Sequence, residues 1–598
     1  MLQAASKGHT EMTRLLLDKG ADVNALGGYY GNALQTASHT GNLEIVKLLL
    51  DKGANVNIQG GHLRNALQAA SHEGNLEIIK LLLDNGADVN AQGGEYGNAL
   101  QAASLQGHAE VSRVLMDKGA DVNAPLDVFH CSALNAASWE GHVEIVELLL
   151  DRGADVNVHS GPVPQSHTLK FIQDCCCDFS MSFYKRWNVN HHDGQGMYGA
   201  ALQIASAKGY TQIARLLIDH GANVNVKSIN HGNALQAAAC KCHDIIVSLL
   251  LEKGADVNAK CVYHCSALQA AAYNGYTEIV RLLLDKGVDV NSQCGKYGNA
   301  LQAAVHNGHT EIVELLCDKG ADVNAQCGIY SNALQCASFS GNVEISRLLL
   351  DKGTDVNAQG GYYGNALQAA ACKGHTEITT ILLGKGADVN AEGGIYGSAL
   401  LQAAAFNGHT EIATILLDKG VDVNAQGGMH SNALYAASYE GNLEIVKLLL
   451  DKGVDVNAQG GEYSNALQAA CYEGDLKIVK LLLDKGSDVN AQGGRYGNAL
   501  QCASFCGNTE IARLLLEEGA NVNAQGGKYG NALEAASFAG ALEIVKLLLS
   551  KGADVNAQGG EYGNALHAAA ASESFSGNVV IVRLLLDKRA DVNAQGGK

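Results

Sequence analysis

Residues 25–57 read ALGGYYGNALQTASHTGNLEIVKLLLDKGANVN, and most of the chain repeats this stretch with small changes. The Val-Asn pair that closes it occurs eighteen times between Asn24 and Asn593, usually at a spacing of 33 residues. A fixed period of this size predicts a solenoid in which one supersecondary unit is stacked many times.

The stretch divides into two helices and a loop. Asn32 can cap the first helix, because its side-chain oxygen can accept a hydrogen bond from an amide of the first turn. This helix runs from Ala33 to about Thr40 and ends at Gly41, since glycine adopts the left-handed conformation without steric cost. A second helix with a broad apolar face follows and ends at Gly53. One unit cannot cover its own apolar faces, so we expect neighbouring units to stack.

The repeated unit resembles the ankyrin repeat over essentially the full chain. The matching features are the Ala-Leu-Gln-x-Ala core of the first helix, Gly41, the run Glu44-Ile45-Val46-x-Leu-Leu-Leu, and Asp51-Lys52-Gly53-Ala54 with Val56-Asn57. Ankyrin repeats usually open with Thr-Pro-Leu-His, whereas Asn-Ala-Leu-Gln stands here, and asparagine can cap as threonine would. The resemblance implies an all-α solenoid of about 18 helix-turn-helix units with β-hairpin-like fingers. The Gly-Asn-Ala-Leu-Gln sequence of the repeat is similar to that of ankyrin arrays in proteins of filamentous fungi.

The repeats define three regions. Residues 1–157 hold repeats 1–5, the first of them incomplete because Met1 falls inside its first helix, and 191–598 hold repeats 7–18. Residues 158–190 keep the length and the closing Asn190 but lose the Ala-Leu-Gln core, so they are either a degenerate repeat or an insert. We expect this region to be the weakest joint, and the truncated ends suggest a piece of a longer array.

Function in a repeat array is expected where the repeats differ. Two positions follow Ala-Ala-Ser at the end of the first helix, and the first of them favours aromatic residues and histidine. In ankyrin repeats the corresponding positions line the concave surface and contact partners. We call this first position the column, and its predicted partner-binding members are His39, His72, Trp139, Tyr273, His306, Phe339, Phe406, Tyr439, Tyr472, Phe505 and Phe538. Aromatic rings dominate interface hot spots, but they could equally pack on one another for stability alone.

A second variable position lies at the fingertips, just before a regular tyrosine or histidine that we interpret as structural. Its residues change from repeat to repeat, which makes it a candidate for specificity. The predicted partner-binding fingertips are Tyr29, Glu95, Lys296, Arg495 and Lys528.

The composition excludes several classes of protein. The net charge is −19 with no cluster of lysine and arginine, so the electrostatic footprint of a nucleic-acid-binding protein is missing. No apolar run reaches the length of a membrane span, and we expect no membrane insertion. The sixteen cysteines are scattered along the chain, and we interpret them as reduced thiols. Reduced thiols favour a cytoplasmic or nuclear protein.

Motifs for catalysis and cofactors are missing. The sequence has no GxxxxGK[ST] loop, no HExxH and no GxSxG, so we expect neither an enzyme nor a cofactor. Two groups of possible metal ligands follow one another in the sequence: Cys240, Cys242 and His243, and then Cys261, His264 and Cys265. The first group is expected at the C-terminal end of one first helix and the second at the N-terminal end of the next first helix, roughly 15 Å away at the helical rise. We therefore predict no metal site.

These observations favour a non-enzymatic scaffold that binds a protein or peptide partner on the concave first-helix surface and the fingertips. We expect it to be monomeric, apart from the exposed apolar ends of the array. The alternative is that the chain is the ligand-sensing repeat region of a larger signalling NTPase, because fungal arrays of this kind often follow a NACHT-type nucleotide-binding module.

Overall fold

The computed structural model describes residues 1–27, 31–62, 64–93, 97–124, 132–158, 199–227, 232–260, 266–391, 393–394, 400–427, 431–571 and 575–594. The chain divides into two compact units, unit one at 1–321 and unit two at 322–598. Within the described ranges each repeat is a pair of short helices, and the only β-structure consists of isolated bridges. The predicted all-α repeat solenoid is confirmed.

Unit one contains nine helix pairs in its described residues. The pairs are Leu2–Ser6 with Thr10–Asp18, Ala33–His39 with Leu43–Asp51, Ala66–Glu73 with Leu76–Asp84, Ala99–Gln106 with Ala109–Asp117, Ala133–Glu140 with Val143–Asp151, Ala201–Lys208 with Thr211–Asp219, Ala234–Cys240 with Asp244–Glu252, Ala267–Asn274 with Thr277–Asp285, and Ala300–His306 with Thr310–Asp318.

Unit two contains eight helix pairs in its described residues. The pairs are Ala333–Ser340 with Val343–Asp351, Ala366–Lys373 with Thr376–Gly384, Leu400–Phe406 with Thr410–Asp418, Ala433–Tyr439 with Leu443–Asp451, Ala466–Glu473 with Leu476–Asp484, Ala499–Phe505 with Thr509–Glu517, Ala532–Ala539 with Leu542–Ser550, and Ala565–Ala571 with Phe575–Asp587.

The helix ends follow the predicted capping chemistry. The Asn32 side chain accepts a hydrogen bond from the Gln35 N–H at 2.8 Å, and the Gln35 side chain accepts one from the Asn32 N–H at 2.7 Å. This is a capping box, which satisfies two amides of the first turn. Gly41 and Gly53 end the two helices with φ of 74° and 81°, a conformation that favours glycine.

The core of each unit is a continuous layer between the stacked helices. Along the first helix Ala33 and Ala37 are fully buried, and their small side chains let the first helix of the next repeat pack closely. Along the second helix Ile45, Val46 and Leu49 are fully buried. Burial of aliphatic side chains stabilises a repeat only when its neighbours are present, because each repeat contacts little else.

The recurrent closing asparagine binds one repeat to the next. The Asn57 side-chain amide donates to the Gly86 carbonyl at 2.9 Å, and its oxygen accepts from the Asp88 N–H at 2.8 Å. Asn90 makes the same two bonds to Gly119 and Asp121. The Val-Asn period therefore reflects a hydrogen-bond ladder between consecutive repeats.

The repeat that ends at Asn157 stacks directly on the repeat that begins at Ala201. Helix Ala133–Glu140 packs against helix Ala201–Lys208, and the Asn223 N–H donates to the Asn157 side chain at 2.8 Å. These are the contacts of neighbouring repeats, although the two residues are separated by twice the usual distance along the chain. The region predicted at 158–190 lies almost wholly outside the described residues, so its status as repeat or insert stays a prediction.

The fingers are held by the glutamine of the Ala-Leu-Gln core. The Gln35 side-chain amide donates to the Ile58 carbonyl at 3.1 Å and to the Arg64 carbonyl at 2.8 Å, both in the next finger. Isolated antiparallel bridges such as Gly27–Gly31 and Gly493–Gly497 close several fingers. Each finger is thus positioned by the first helix of the repeat before it.

Candidate functional site

The predicted column occupies one structural position throughout the described repeats. Each member lies in the last turn of its first helix and is half-buried, with part of its side chain facing solvent. The members so placed are His39, His72, Trp139, Tyr273, His306, Phe339, Phe406, Tyr439, Tyr472, Phe505 and Phe538. The structure therefore brings the column together within each unit, while partner binding by it stays a prediction.

In unit two the column rings alternate with the tyrosines at the base of each finger. Neighbouring ring centroids lie between 4.3 and 5.9 Å apart, and most of the ring planes are near parallel. We call this set the aromatic stack, and its eight members are Tyr439, Tyr463, Tyr472, Tyr496, Phe505, Tyr529, Phe538 and Tyr562.

The two kinds of ring in the aromatic stack differ in exposure. Tyr463, Tyr496 and Tyr529 at the finger bases are 2–6% exposed, as a structural role requires. Burial raises the pKa of Tyr529 to about 12, so its hydroxyl stays neutral at physiological pH. The column rings Tyr472 and Phe505 are only half-buried, so they can serve both packing and recognition.

Within its described residues, unit one shows shorter ring clusters. Tyr273 and His306 flank the finger tyrosine Tyr297, with centroids 5.4 and 4.7 Å from it. His39 and His72 lie 6.2 Å apart, and we call these two residues the histidine pair. Burial lowers the pKa of His39, which keeps its imidazole neutral near pH 7 even though Glu73 opposes the shift.

The position that follows the column, at the end of the first helix, supplies partners that the column analysis missed. Residues at this position reach back to the column residue of the preceding repeat. The Lys208 ammonium lies 3.8 Å from the centre of the Trp139 ring, and the Lys373 ammonium lies 4.6 Å from that of Phe339. Cation–π attraction favours such contacts. The variability of this position was visible in the sequence, but its contact with the preceding repeat was not.

Glu73 and Gln106 occupy the same position at the histidine pair. The Glu73 carboxylate lies 2.7 Å from His72 Nδ1 and 3.2 Å from His39 Nδ1. The Gln106 side-chain amide lies 3.0 Å from His72 Nε2. Two histidines and a carboxylate from two repeats therefore meet at one point of the column.

The charged fingertips pair with one another. The Arg495 guanidinium lies 3.0 Å from the Glu462 carboxylate of the preceding finger, and the Lys528 ammonium lies 3.2 Å from Glu561 of the following one. Backbone hydrogen bonds from Arg495 to Glu462 and from Lys528 to Arg495 join these fingers. Lys296 is exposed, with its ammonium 5.4 Å from the Tyr297 ring centre. Tyr29 and Glu95 lie outside the described residues.

Acidic side chains surround the first rings of the aromatic stack. Glu440 and Glu473 follow the column residues Tyr439 and Tyr472, and both are exposed. Burial, and then the nearby Glu440 charge, raise the pKa of Glu473 above its usual value. The solvent-facing edge of these rings thus combines apolar surface with negative charge.

Cys471, Cys502 and Cys506 of unit two are free thiols. Burial raises the pKa of Cys506 to about 11, and it raises those of Cys471 and Cys502 further, so these thiols are protonated and unreactive. The second cysteine group considered for a metal, at 261–265, lies outside the described residues.

Comparison with known proteins agrees with the repeat geometry. The family described as Ankyrin repeats (3 copies) matches overlapping segments at 1–93, 66–160, 173–261, 261–327, 327–393, 367–460, 434–526, 467–559 and 529–596. A search of curated proteins finds no match. Within the described part of the chain, we find no helix with the length and apolar character needed to cross a bilayer. Family matches that span nearly all residues, together with stacked helix pairs and capped fingers, establish that the chain belongs to the ankyrin-repeat family.

Proposed function

We propose that this chain is a non-enzymatic scaffold that binds a protein or peptide segment along the column and the fingertips. Ankyrin repeats are in general modules for protein–protein interaction. The observation that carries the proposal is the aromatic stack, whose column rings stay half-exposed along one side of unit two. Rigid aromatic surface gives large contact area at low entropic cost.

The charge around the stack supports a basic partner. Burial, and then the negative charges of Glu473, Glu440 and Glu462, raise the pKa of the Tyr439 phenol. A segment with lysine or arginine next to apolar side chains would complement both the rings and the carboxylates. Lys208 over Trp139 and Lys373 over Phe339 are internal examples of a cation on a column ring. The binding segment is therefore expected to be basic and extended.

The remaining parts of the proposal follow from the same features. A scaffold of this kind would act as a monomer, because the column is complete within one chain. The free thiols of Cys471, Cys502 and Cys506 support a reducing compartment, either cytoplasm or nucleus.

Selection from a random peptide display library with the full chain tests this proposal. We expect the selected peptides to be enriched in lysine and arginine and to lose affinity as salt is raised, since exposed charges are screened. Replacing Phe505 and Phe538 with alanine should weaken a selected peptide at least tenfold. The control is Lys546→Ala, a change on the solvent-facing side of a second helix. Acidic peptides, or equal affinity for both variants, would contradict the proposal.

A further inference from the structure

The histidine pair and Glu73 form a cluster whose chemistry the scaffold function does not use. His39 closes one first helix, and His72 and Glu73 close the next. Ligand atoms of the three side chains lie within 4.8 Å of one another. The histidine side chains are 20% and 19% exposed and the glutamate 37%, so the cluster is sheltered yet open to solvent on one side.

The donor set fits a particular class of ion. Two imidazole nitrogens and one carboxylate oxygen are ligands that Zn²⁺ and its neighbours in the first transition row prefer, whereas Mg²⁺ and Ca²⁺ prefer oxygen alone. Tetrahedral ligands on zinc lie about 3.3 Å apart, because Zn–N and Zn–O bonds are about 2.0–2.2 Å long. The Glu73 oxygen already lies 2.7 and 3.2 Å from the two Nδ1 atoms, so only small side-chain movements are needed.

The surroundings also support ligation by Nδ1 of His72. The Gln106 amide group lies 3.0 Å from the other ring nitrogen, Nε2. The oxygen and nitrogen of an amide side chain can exchange places by rotation, so Gln106 can accept a hydrogen bond from Nε2–H. A metal-bound imidazole usually donates its second N–H to such an acceptor, which fixes the ring and its tautomer.

The backbone holds the ligands in place. The imidazole of His108 lies 3.0 Å from the His72 carbonyl and fixes the end of that first helix. Gly74, at φ 78°, makes room for this ring, because a side chain there would lie 2.6 Å from it. The position of His72 and Glu73 relative to His39 is therefore set by the repeat frame rather than by the cluster itself.

We propose that His39, His72 and Glu73 bind one divalent transition-metal ion of the zinc class, with the remaining coordination positions open to water or to a donor from a partner. Three ligands with an open position are the arrangement found where a metal binds an exchangeable group. The inference does not depend on the aromatic stack, which lies in the other unit, and would stand if the proposed peptide binding failed.

The search for closely spaced Cys and His residues missed this cluster, because its ligands come from two repeats. His39 and His72 were predicted as partner-binding residues only. Their meeting with Glu73 depends on the offset between stacked first helices, which the linear sequence does not express.

Isothermal titration with ZnCl₂ tests the site on the full chain, after chelator treatment and in the presence of a phosphine reductant. We expect the stoichiometry to fall by one equivalent in His39→Gln and in His72→Gln. Glu73→Gln should keep the equivalent with at least tenfold weaker affinity. Other ligands, including the cysteines, are common to all variants and cancel in the comparison.

His306→Gln is the matched control. This histidine occupies the same column position, but its ring centroid lies 4.7 Å from that of Tyr297. Asn307 and Ser340 follow the column in its own repeat and in the next one, where the histidine pair has Glu73. Its stoichiometry should equal that of the unmodified chain. Equal stoichiometry in all variants, or no uptake of Zn²⁺ by the unmodified chain, would overturn the proposal. Circular dichroism of each variant, together with the agreement of two independent histidine variants, separates loss of ligation from loss of folding.

Discussion

The histidine pair in unit one and the column rings of the aromatic stack in unit two occupy equivalent positions of the repeat unit. At the histidine pair, the neighbouring helix ends carry polar residues: the Glu73 carboxylate and the Gln106 side-chain amide both lie within hydrogen-bond distance of the His72 ring. Around Tyr472 and Phe505 they carry stacked rings at van der Waals distance from buried tyrosines. The frame beneath is unchanged in both places. One backbone position can therefore support two kinds of recognition, provided that the residues facing it from the next repeat change with it.

The largest expected effect is at the buried centre of the aromatic stack. Tyr496 is 5% exposed and contacts the rings of Tyr472, Phe505 and Tyr529. Tyr496→Ala should cost about 3–5 kcal/mol, because a large aromatic side chain is removed from a packed site. Hydrogen exchange of the flanking helices measures this locally, since repeat arrays need not unfold in one step. The same change at half-buried Tyr472 should cost clearly less; equal losses would contradict the distinction between the two kinds of ring.

In one repeat of unit two, Glu534 replaces the glutamine of the Ala-Leu-Gln core. It stands where Gln501 of the preceding repeat donates to the Gly530 carbonyl at 2.9 Å, and a carboxylate cannot donate. Burial raises the pKa of Glu534 to about 8, although a hydrogen bond from the Tyr562 N–H opposes the shift. Glu534→Gln should supply a donor at every pH and, above pH 8, where the carboxyl group is ionised, raise the free energy of unfolding by roughly 1–3 kcal/mol.

The pH dependence of this effect has a definite sign. The folded pKa of Glu534 lies above the unfolded value near 4.5, so the folded chain binds more protons than the unfolded chain. Stability should be greatest below pH 4.5 and fall as the pH rises towards 8, and this dependence should disappear in Glu534→Gln. Urea unfolding at several pH values measures it. Glu543→Gln on the surface is the control, and a similar change there would contradict the account.

Replacing the histidine pair with aromatic residues tests the comparison between the two units more finely. Replacing both His39 and His72 with phenylalanine should let the rings stack as they do in unit two, with a gain of about 0.5–1.5 kcal/mol from the aromatic pair. Local hydrogen exchange in helices Ala33–His39 and Ala66–Glu73 measures the gain. A loss of stability would show that the pairing with Glu73 matters more than ring contact.

The smallest effect is expected where two repeats already meet. Removing residues 161–195 would leave Asn157 and Ala200 as far apart along the chain as Asn57 and Asn65. Because Asn157 already bonds to Asn223, stability of the flanking helices should change by less than about 1 kcal/mol. A large cooperative loss in thermal unfolding would instead support a degenerate repeat within the stack.

Much of this architecture could be predicted from residues 25–57. The Asn32 cap, the glycines that end both helices and the position of the column depend on local backbone chemistry, which the sequence expresses directly. Contacts between repeats could not be predicted in the same way. Glu73 meets His39, Arg495 meets Glu462 and Asn157 meets Asn223 because of the offset at which helices stack, and this offset is a property of packing.

Photo-crosslinking of a selected basic peptide tests the central claim, that the column of unit two is the binding surface. A photoreactive phenylalanine analogue would replace Tyr472 in the column or, as a control, Lys480 on the exposed side of the second helix in the same repeat. The account predicts that the peptide crosslinks to position 472 and not to position 480. Crosslinking at position 480 alone, or at neither position while the peptide remains bound, would contradict it.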